Sequence, residues 1–386
     1  MRPGLRALLV TRNFPPLRGG MERLNAFIFT YLWRGNDHCA LVGPAGSRRF
    51  APDGARVLEL PVRTLSLTVL SSIARSVCTA LRLRPEIVLA GSGLMAPAAV
   101  VAASVARGQS AVYLHGLDII APSRLYRWIW WPCIRRCGHV LVNSANTRKL
   151  AVGIGIDPGR ISIVHPGTEL PMLDPTARGR FRARLGVGNA PLLLSVGRLT
   201  ARKGMAEFVE HALPAVVARH PAVRLIIIGD QAPDALSRGK GAGYDRIRAV
   251  AEAGGIADSI VWLGYCTDEE LNDAYQGVDL HIFPVRDIPG DVEGFGMVAI
   301  EAAARGLSSV AFDVGGVSDA VCMGENGVLV NSGDYSAFSR VISDLLEMEA
   351  MSDLQKSSRA RAFAERFSWD RFGDEMILAL RGRKQC

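Results

Sequence analysis

Short apolar runs alternate along this chain with longer segments of helical periodicity, the pattern of parallel α/β sheets covered on both faces. In the first half the runs predict strands over residues 5–11, 38–43, 86–90, 110–115, 139–144 and 161–165. In the second half they predict strands over 191–197, 223–229, 260–265, 280–284, 309–313 and 327–330. Helices are predicted over 20–33, 203–218, 244–253 and 269–275. Several strands end in Gly or Pro where the chain turns toward a helix, and ligands of open α/β sheets bind at such carboxyl ends. Residues 166–189 include Pro166, Gly167, Pro171, Pro175 and Gly188, carry little strand pattern, and read as a connection between two domains. Residues 363–380 read as helices anchored by Phe367, Trp369 and Phe372.

The uncharged stretch 87–106 is long enough to cross a bilayer. It contains Gly91-Ser92-Gly93 and Pro97, however, and divides better into a buried strand over 87–90, a loop, and a small-residue helix over 98–106. The chain enters its first strand at once, so no signal peptide is expected.

At 386 residues there is room for two domains, and 49% apolar with 21% charged residues describes a globular protein. The net charge of +8 hides an asymmetry: residues 1–160 carry 21 Lys and Arg against 7 Asp and Glu, and the remainder is mildly acidic. A basic half suits an anionic partner, whether anionic lipid or a phosphorylated acceptor. A nucleic-acid partner is not expected, because no recognition motif or single-strand platform is present. The seven cysteines are scattered and odd in number, which points to a reducing compartment rather than a disulfide framework. Cys133, Cys137 and His139 invite a metal reading, but no second ligand pair follows at zinc-site spacing, and no metal is expected.

Chemistry concentrates in a few segments. In Gly197-Arg198-Leu199-Thr200-Ala201-Arg202-Lys203-Gly204 a strand end meets a helix start with the cations Arg198 and Lys203 between them. Arg198 and Lys203 can hold a diphosphate through charge-assisted hydrogen bonds. Fixed cations also stabilise the charge that a diphosphate leaving group gains in the transition state. In Glu293-Gly294-Phe295-Gly296-Met297-Val298-Ala299-Ile300-Glu301 two carboxylates bracket a glycine-rich turn into an apolar helix. The free N–H groups of such a helix start suit a phosphate or sugar oxygen. On a mostly helical path the two carboxylates would lie roughly 12 Å apart, beyond the ~5–9.5 Å of a hydrolytic pair, which tells against a glycosidase.

Gly19-Gly20 opens a helix after the first strand, as a loop approaching a phosphate would. His115-Gly116-Leu117-Asp118 ends another strand and can present the imidazole to a ligand. Gly229-Asp230 and Tyr265 sit at the ends of neighbouring strands. Three of the six tryptophans, Trp128, Trp130 and Trp131, lie among Arg124, Arg127, Arg135 and Arg136, the composition of an interfacial membrane helix, a protein contact, or a core helix.

In order and spacing these segments resemble the retaining glycosyltransferases with two Rossmann-like domains, the GT-B fold of family 4, over nearly the whole chain. The resemblance implies an α/β fold of two parallel-sheet domains facing each other across a cleft. The domains would be an acceptor-binding domain over 1–170 and a nucleotide-sugar domain over 171–365, with a C-terminal helix over 366–386 crossing back to the first. By the same resemblance Glu293 contacts the donor sugar and Glu301 the ribose, while Phe295, Gly296 and Met297 offer backbone amides. Arg198 and Lys203 hold the diphosphate, Gly19 and Gly20 lie over the phosphates, and His115 lies against the sugar. Gly229 and Asp230 flank the phosphates, and the loop at Tyr265 reads the base. No cofactor is implied beyond a nucleotide-diphosphate sugar donor, GDP-mannose or a UDP-hexose. The acceptor would be a glycan or lipid-linked molecule. The protein would be cytoplasmic and peripheral on the inner face of the cytoplasmic membrane, with the Trp-rich segment as its anionic-membrane contact. Retention would follow from same-face attack. A sugar-nucleotide epimerase or hydrolase of the same fold, or a non-catalytic sugar-nucleotide-binding scaffold, remains open.

Overall fold

The computed structural model describes residues 5–34, 38–61, 64–120, 123–230, 243–348 and 353–382. The predicted tail beyond 382 and the first four residues lie outside them. The chain divides into two compact units, Met1–Gly167 with Trp369–Cys386, and Thr168–Ser368.

The first unit is built on β1 (Ala7–Val10), β2 (Cys39–Pro44), β3 (Arg56–Leu60), β4 (Ile87–Ala90), β5 (Gln109–Leu114), β6 (His139–Val142) and β7 (Ile161–Ile163). All pair in parallel, in the order β3-β2-β1-β4-β5-β6-β7. β1 is flanked in register by Cys39 and Ile87 opposite Ala7, and the strand order reverses between β1 and β4. Every residue of β1, β2 and β4 is buried, which explains why these strands read as continuous apolar runs. β3 escaped the sequence reading because its Arg-Val-Leu-Glu-Leu places charged residues on an edge strand, breaking the apolar run.

The second unit carries β8 (Leu192–Val196), β9 (Arg224–Ile228), β10 (Ile260–Gly264), β11 (Leu280–Phe283), β12 (Ser309–Phe312) and β13 (Gly327–Val330). Their order is β10-β9-β8-β11-β12-β13, again all parallel, with the reversal between β8 and β11. The loops that leave β8 and β11 therefore sit where an open parallel sheet binds its ligand.

Two segments differ from expectation. The helix predicted over 203–218 is a short turn, Ala201–Lys203, followed by helices Met205–His211 and Leu213–Arg219. Pro214 has no N–H to give the preceding turn, so the chain breaks at Ala212 and restarts with proline in its first turn. The stretch 166–189 is more than a connection, because it holds the helix Ala177–Leu185. That helix belongs to the second unit: Arg180 bonds Asp273 through Nε at 2.8 Å, Arg182 bonds Asp279 at 2.8 Å, and Phe181 is buried against Gly277. Its Arg-rich sequence hid it, since its apolar face is little more than Phe181 and Leu185.

The uncharged stretch folds as β4, a turn at Gly93–Met95 and helix Ala96–Ala106, close to the sequence reading. Among the described residues no helix is long and apolar enough to cross a membrane. The C-terminal helix Trp369–Leu380 packs in the first unit, where Trp369 stacks on Phe27 at 3.8 Å and Asp370 accepts a 2.7 Å bond from the Tyr31 hydroxyl.

Candidate functional site

The second unit assembles most of the sequence-selected residues at its strand-order reversal. Past β8, the chain runs through Gly197 and Arg198 into the turn carrying Arg202 and Lys203. Gly204 ends that turn at φ 69°, and a Cβ there would lie 2.0 Å from the Pro284 carbonyl oxygen. Only glycine lets this turn close onto the loop after β11. Across that contact the Lys203 ammonium bonds Glu293 Oε2 at 2.9 Å and lies 4.7 Å from the centre of the Phe283 ring.

Arg202, absent from the sequence reading, is the organiser of this loop pair. Its side chain is buried, its Nε donates to Asp291 Oδ1 at 2.9 Å, and its guanidinium also contacts the Glu293 carboxylate. Its carbonyl accepts the Arg286 N–H at 2.8 Å, tying the two loops through the backbone as well. Glu293 thus faces two cations, and the Gly316 N–H donates to its carbonyl at 2.9 Å. Burial, followed by the charges of Arg202 and Arg198, pushes the Lys203 pKa well down, against the pull of Asp291 and Glu301. Burial likewise lowers that of Arg202. An anion arriving beside these groups would raise both values again, since an opposite charge favours the protonated form.

Helix Met297–Ala304 begins at Gly296, beside the same Phe283 ring. Phe295 is buried and Met297 half-buried. One turn further along, Glu301 receives the Tyr275 hydroxyl on Oε2 at 3.4 Å, and Arg305 bonds its carbonyl at 3.1 Å. Tyr275 is itself fully buried, and its role was invisible in the sequence because it lies on a different helix, Asp268–Gly277.

Gly229 and Tyr265 flank this group. A Cβ on Gly229 would lie 1.9 Å from the Gly197 carbonyl oxygen, so the ends of β8 and β9 meet as closely as backbone allows. The Gly229 N–H donates to Gly264 at 2.8 Å, the Asp230 carbonyl accepts from Leu199 at 3.1 Å, and Tyr265 is exposed beyond β10. Among the described residues no group of three His, Cys, Asp or Glu is gathered as metal ligands would be.

The remaining selected residues lie in the first unit. His115 is buried at the end of β5, with Nε2 3.0 Å from the Gly91 carbonyl, which requires the proton on Nε2. Its backbone N–H donates to Asp118 Oδ2 at 3.0 Å, so Asp118 orders the loop. Gly19 lies against the Glu22 carboxylate, which accepts from Asn13 at 2.7 Å, and Gly20 opens helix Gly20–Trp33.

The Trp-rich segment is helix Arg124–Arg136, and the structure separates its members. Trp130 donates to Leu94 O at 2.8 Å and Trp131 to Ile119 O at 3.2 Å, and Trp131 packs on the core. Arg127 and Arg135 lie over the Trp131 ring. Arg124 is exposed, and Trp128 is 79% exposed.

Comparison with known proteins agrees with this fold. The family model for glycosyl transferases group 1 matches residues 178–365, and that for glycosyltransferase family 4 matches residues 18–170. The chain belongs to the family 4 glycosyltransferases of GT-B type. The D-inositol 3-phosphate glycosyltransferase of Gordonia bronchialis is 34% identical over 232 residues, which cover 58% of this chain and 47% of that protein, so the chain aligns with about half of such relatives. The GDP-mannose-dependent alpha-(1-6)-phosphatidylinositol monomannoside mannosyltransferase of Mycolicibacterium smegmatis is 26% identical over 98% of this chain and 99% of its own. The Anabaena protein HepE, solved with UDP and glucose, shares the fold at a TM-score of 0.79 and 21% identity, over 98% of this chain and 99% of that one.

Proposed function

We propose that this protein is a retaining hexosyltransferase. It would move a hexose from a nucleotide-diphosphate sugar to a glycan or lipid-linked acceptor in the synthesis of cell-surface polysaccharide or glycolipid. The observation that carries the reading is the convergence of Arg198, Arg202 and Lys203 with Glu293 and Glu301 at the strand-order reversal of the second unit.

In this reading Lys203 and Arg198 bind the diphosphate, and their charge grows in value as the bond to the sugar breaks. Lys203 is pre-aimed by Glu293, which also accepts a sugar hydroxyl. Glu301, held by Tyr275 and Arg305, accepts the ribose hydroxyls. Arg202 fixes Glu293 and Asp291 and does not itself meet the donor. His115, with its proton on Nε2 held by Gly91, leaves Nδ1 as the ring acceptor that a ligand of the first unit would meet. The cations supply the charge compensation that a divalent metal supplies elsewhere, so turnover should persist in EDTA. We assign retention to same-face attack in which the leaving phosphate accepts the acceptor's proton.

GDP-mannose is the donor we favour over a UDP-hexose, since the full-length relative named above uses it. The acceptor is placed at a membrane surface, with the protein cytoplasmic and peripheral. The test is thermal stabilisation against GDP, UDP and their sugar conjugates with EDTA present. A shift retained in EDTA and lost in Glu301→Ala supports the donor site and chooses the base. No shift with any of them sinks the reading, while a shift without turnover on any acceptor would favour a non-catalytic sugar-nucleotide-binding scaffold. Sugar-nucleotide turnover without any acceptor would favour the epimerase or hydrolase instead.

A further inference from the structure

Helix Leu65–Leu83 in the first unit is apolar on two sides: Val69, Ile73 and Leu83 pack on the core, while four of its five leucines face outward. Its buried positions are Thr68, Ser72, Ser76, Thr79 and Ala80. Three of the four buried hydroxyls bond backbone carbonyls one turn back: Thr68 to Thr64 O at 2.9 Å, Ser72 to Val69 O at 2.7 Å, and Thr79 to Arg75 O at 2.7 Å. The opposite side carries Leu67, Leu70, Ala74, Cys78 and Leu81, spaced three or four residues apart and all exposed. With Leu65, the leucines of this helix's outer side are each at least 50% exposed. A helix that needed only to cover the sheet would turn its leucines inward.

The layer continues sideways. Helix Leu65–Leu83 packs on Ala96–Ala106, and that helix packs on Arg124–Arg136. The three connect β3 to β4, β4 to β5 and β5 to β6, all stepping the same way across the sheet, so right-handed crossovers put them on one face. The middle helix buries alanines and exposes Val101 and Val105. The third exposes Leu125, Trp128 and Ile129. Such a run of exposed aliphatic side chains on one layer exceeds the scattered apolar residues of an ordinary surface.

Charge selects the partner. None of the three helices contains an Asp or Glu, while Arg75, Arg82, Arg124, Arg127 and Arg136 are exposed on them. We propose that this three-helix layer is the docking face for an anionic lipid bilayer, with the Leu67–Leu70–Leu81 stripe and Trp128 entering the interface and the arginines meeting the headgroups. It deepens the membrane placement proposed above and corrects its location. The Trp-rich helix contributes one edge, since Trp130 and Trp131 are engaged inside the unit.

The test is flotation of the full chain with phosphatidylcholine vesicles, with and without phosphatidylglycerol. The wild type should float with the anionic vesicles, and much less with phosphatidylcholine alone. The triple variant Leu67→Gln, Leu70→Gln, Leu81→Gln should bind at least tenfold more weakly with its melting temperature unchanged, because these side chains support nothing beneath them. Cys78 lies in the stripe and gives a readout that needs no variant: its modification by a water-soluble maleimide, followed by peptide mass, should slow on anionic vesicles. Three results would overturn the proposal. They are wild type that ignores anionic vesicles, vesicle-bound protein whose Cys78 reacts as fast as before, and a wild-type dimer that the triple variant dissolves, which would make a second copy the occupant. Each is read without nucleotide, so failure here is distinct from failure of the donor site.

Discussion

Replacing Lys203 by methionine separates catalysis from stability at a single residue. The ammonium bonds Glu293 at 2.9 Å and packs on Phe283, and burial holds its pKa well below the ordinary lysine value. Methionine keeps most of the length and the apolar contact while removing the charge. If Lys203 binds the leaving diphosphate, the loss is that of one preorganised charge-assisted donor in a sheltered site, about 3–4 kcal/mol at the transition state, or roughly a hundred- to a thousandfold in kcat. The ligand-free fold should lose little. The desolvation cost of the ammonium disappears, and Glu293 keeps its contact with Arg202, so no buried carboxylate is left unpaired. The assay is release of nucleoside diphosphate under saturating donor, beside thermal melting without ligand. A variant that turns over within about threefold of wild type refutes the diphosphate role. One that loses activity together with several degrees of melting temperature shows instead that the Lys203–Glu293 pair is structural.

Gly204→Ala should cost about 2–4 kcal/mol of stability, from the left-handed φ of 69° and a Cβ placed 2.0 Å from Pro284 O; urea denaturation reads it, and an unperturbed midpoint would show that the turn is free to shift. Tyr275→Phe should raise the donor KM several-fold and leave kcat nearly unchanged, with the penalty reduced for a 2′-deoxyribose donor; an equal penalty on both donors would separate Tyr275 from the ribose contact proposed for Glu301. His281 has its pKa pushed down to about 3, first by burial and then by the charge of Lys203. The unfolded chain therefore takes up this proton first, and the stability present above the unfolded value near 6.5 drains away as pH falls toward the folded one. The full swing is on the order of 4–5 kcal/mol. Urea unfolding of wild type should weaken more steeply with acid than that of His281→Asn, and parallel slopes would count against the assignment.

What could be read from the sequence follows from how local each signal is. The interior strands are apolar on both faces, so each announces itself within four to six residues, as β1, β4 and β8 do. β3 lies at an edge with Arg56 and Glu59 on it, and the helix Ala177–Leu185 is held largely by arginine pairs to Asp273 and Asp279; neither carries a run for periodicity to find. The site divides in the same way. Lys203, Glu293 and Glu301 stand in contiguous motifs, whereas Arg202, Asp291 and Tyr275 acquire meaning only when β8 and β11 lie side by side. Arg202 was the hardest to see, because one residue before a motif lysine it looks like a second solvent-facing cation, and the turn before Gly204 instead drives it inward onto Asp291. The Trp-rich segment was legible only in part, for the opposite reason. Composition counted three aromatic rings, but a helix has one outer side, and hydrogen bonds to Leu94 and Ile119 hold two of the rings half-buried. Helix Leu65–Leu83 completes the argument: periodicity shows that Leu67, Leu70 and Leu81 share a face, but that this face turns outward follows from the alanine-rich helix beside it, which small hydroxyl residues can approach more closely than leucines.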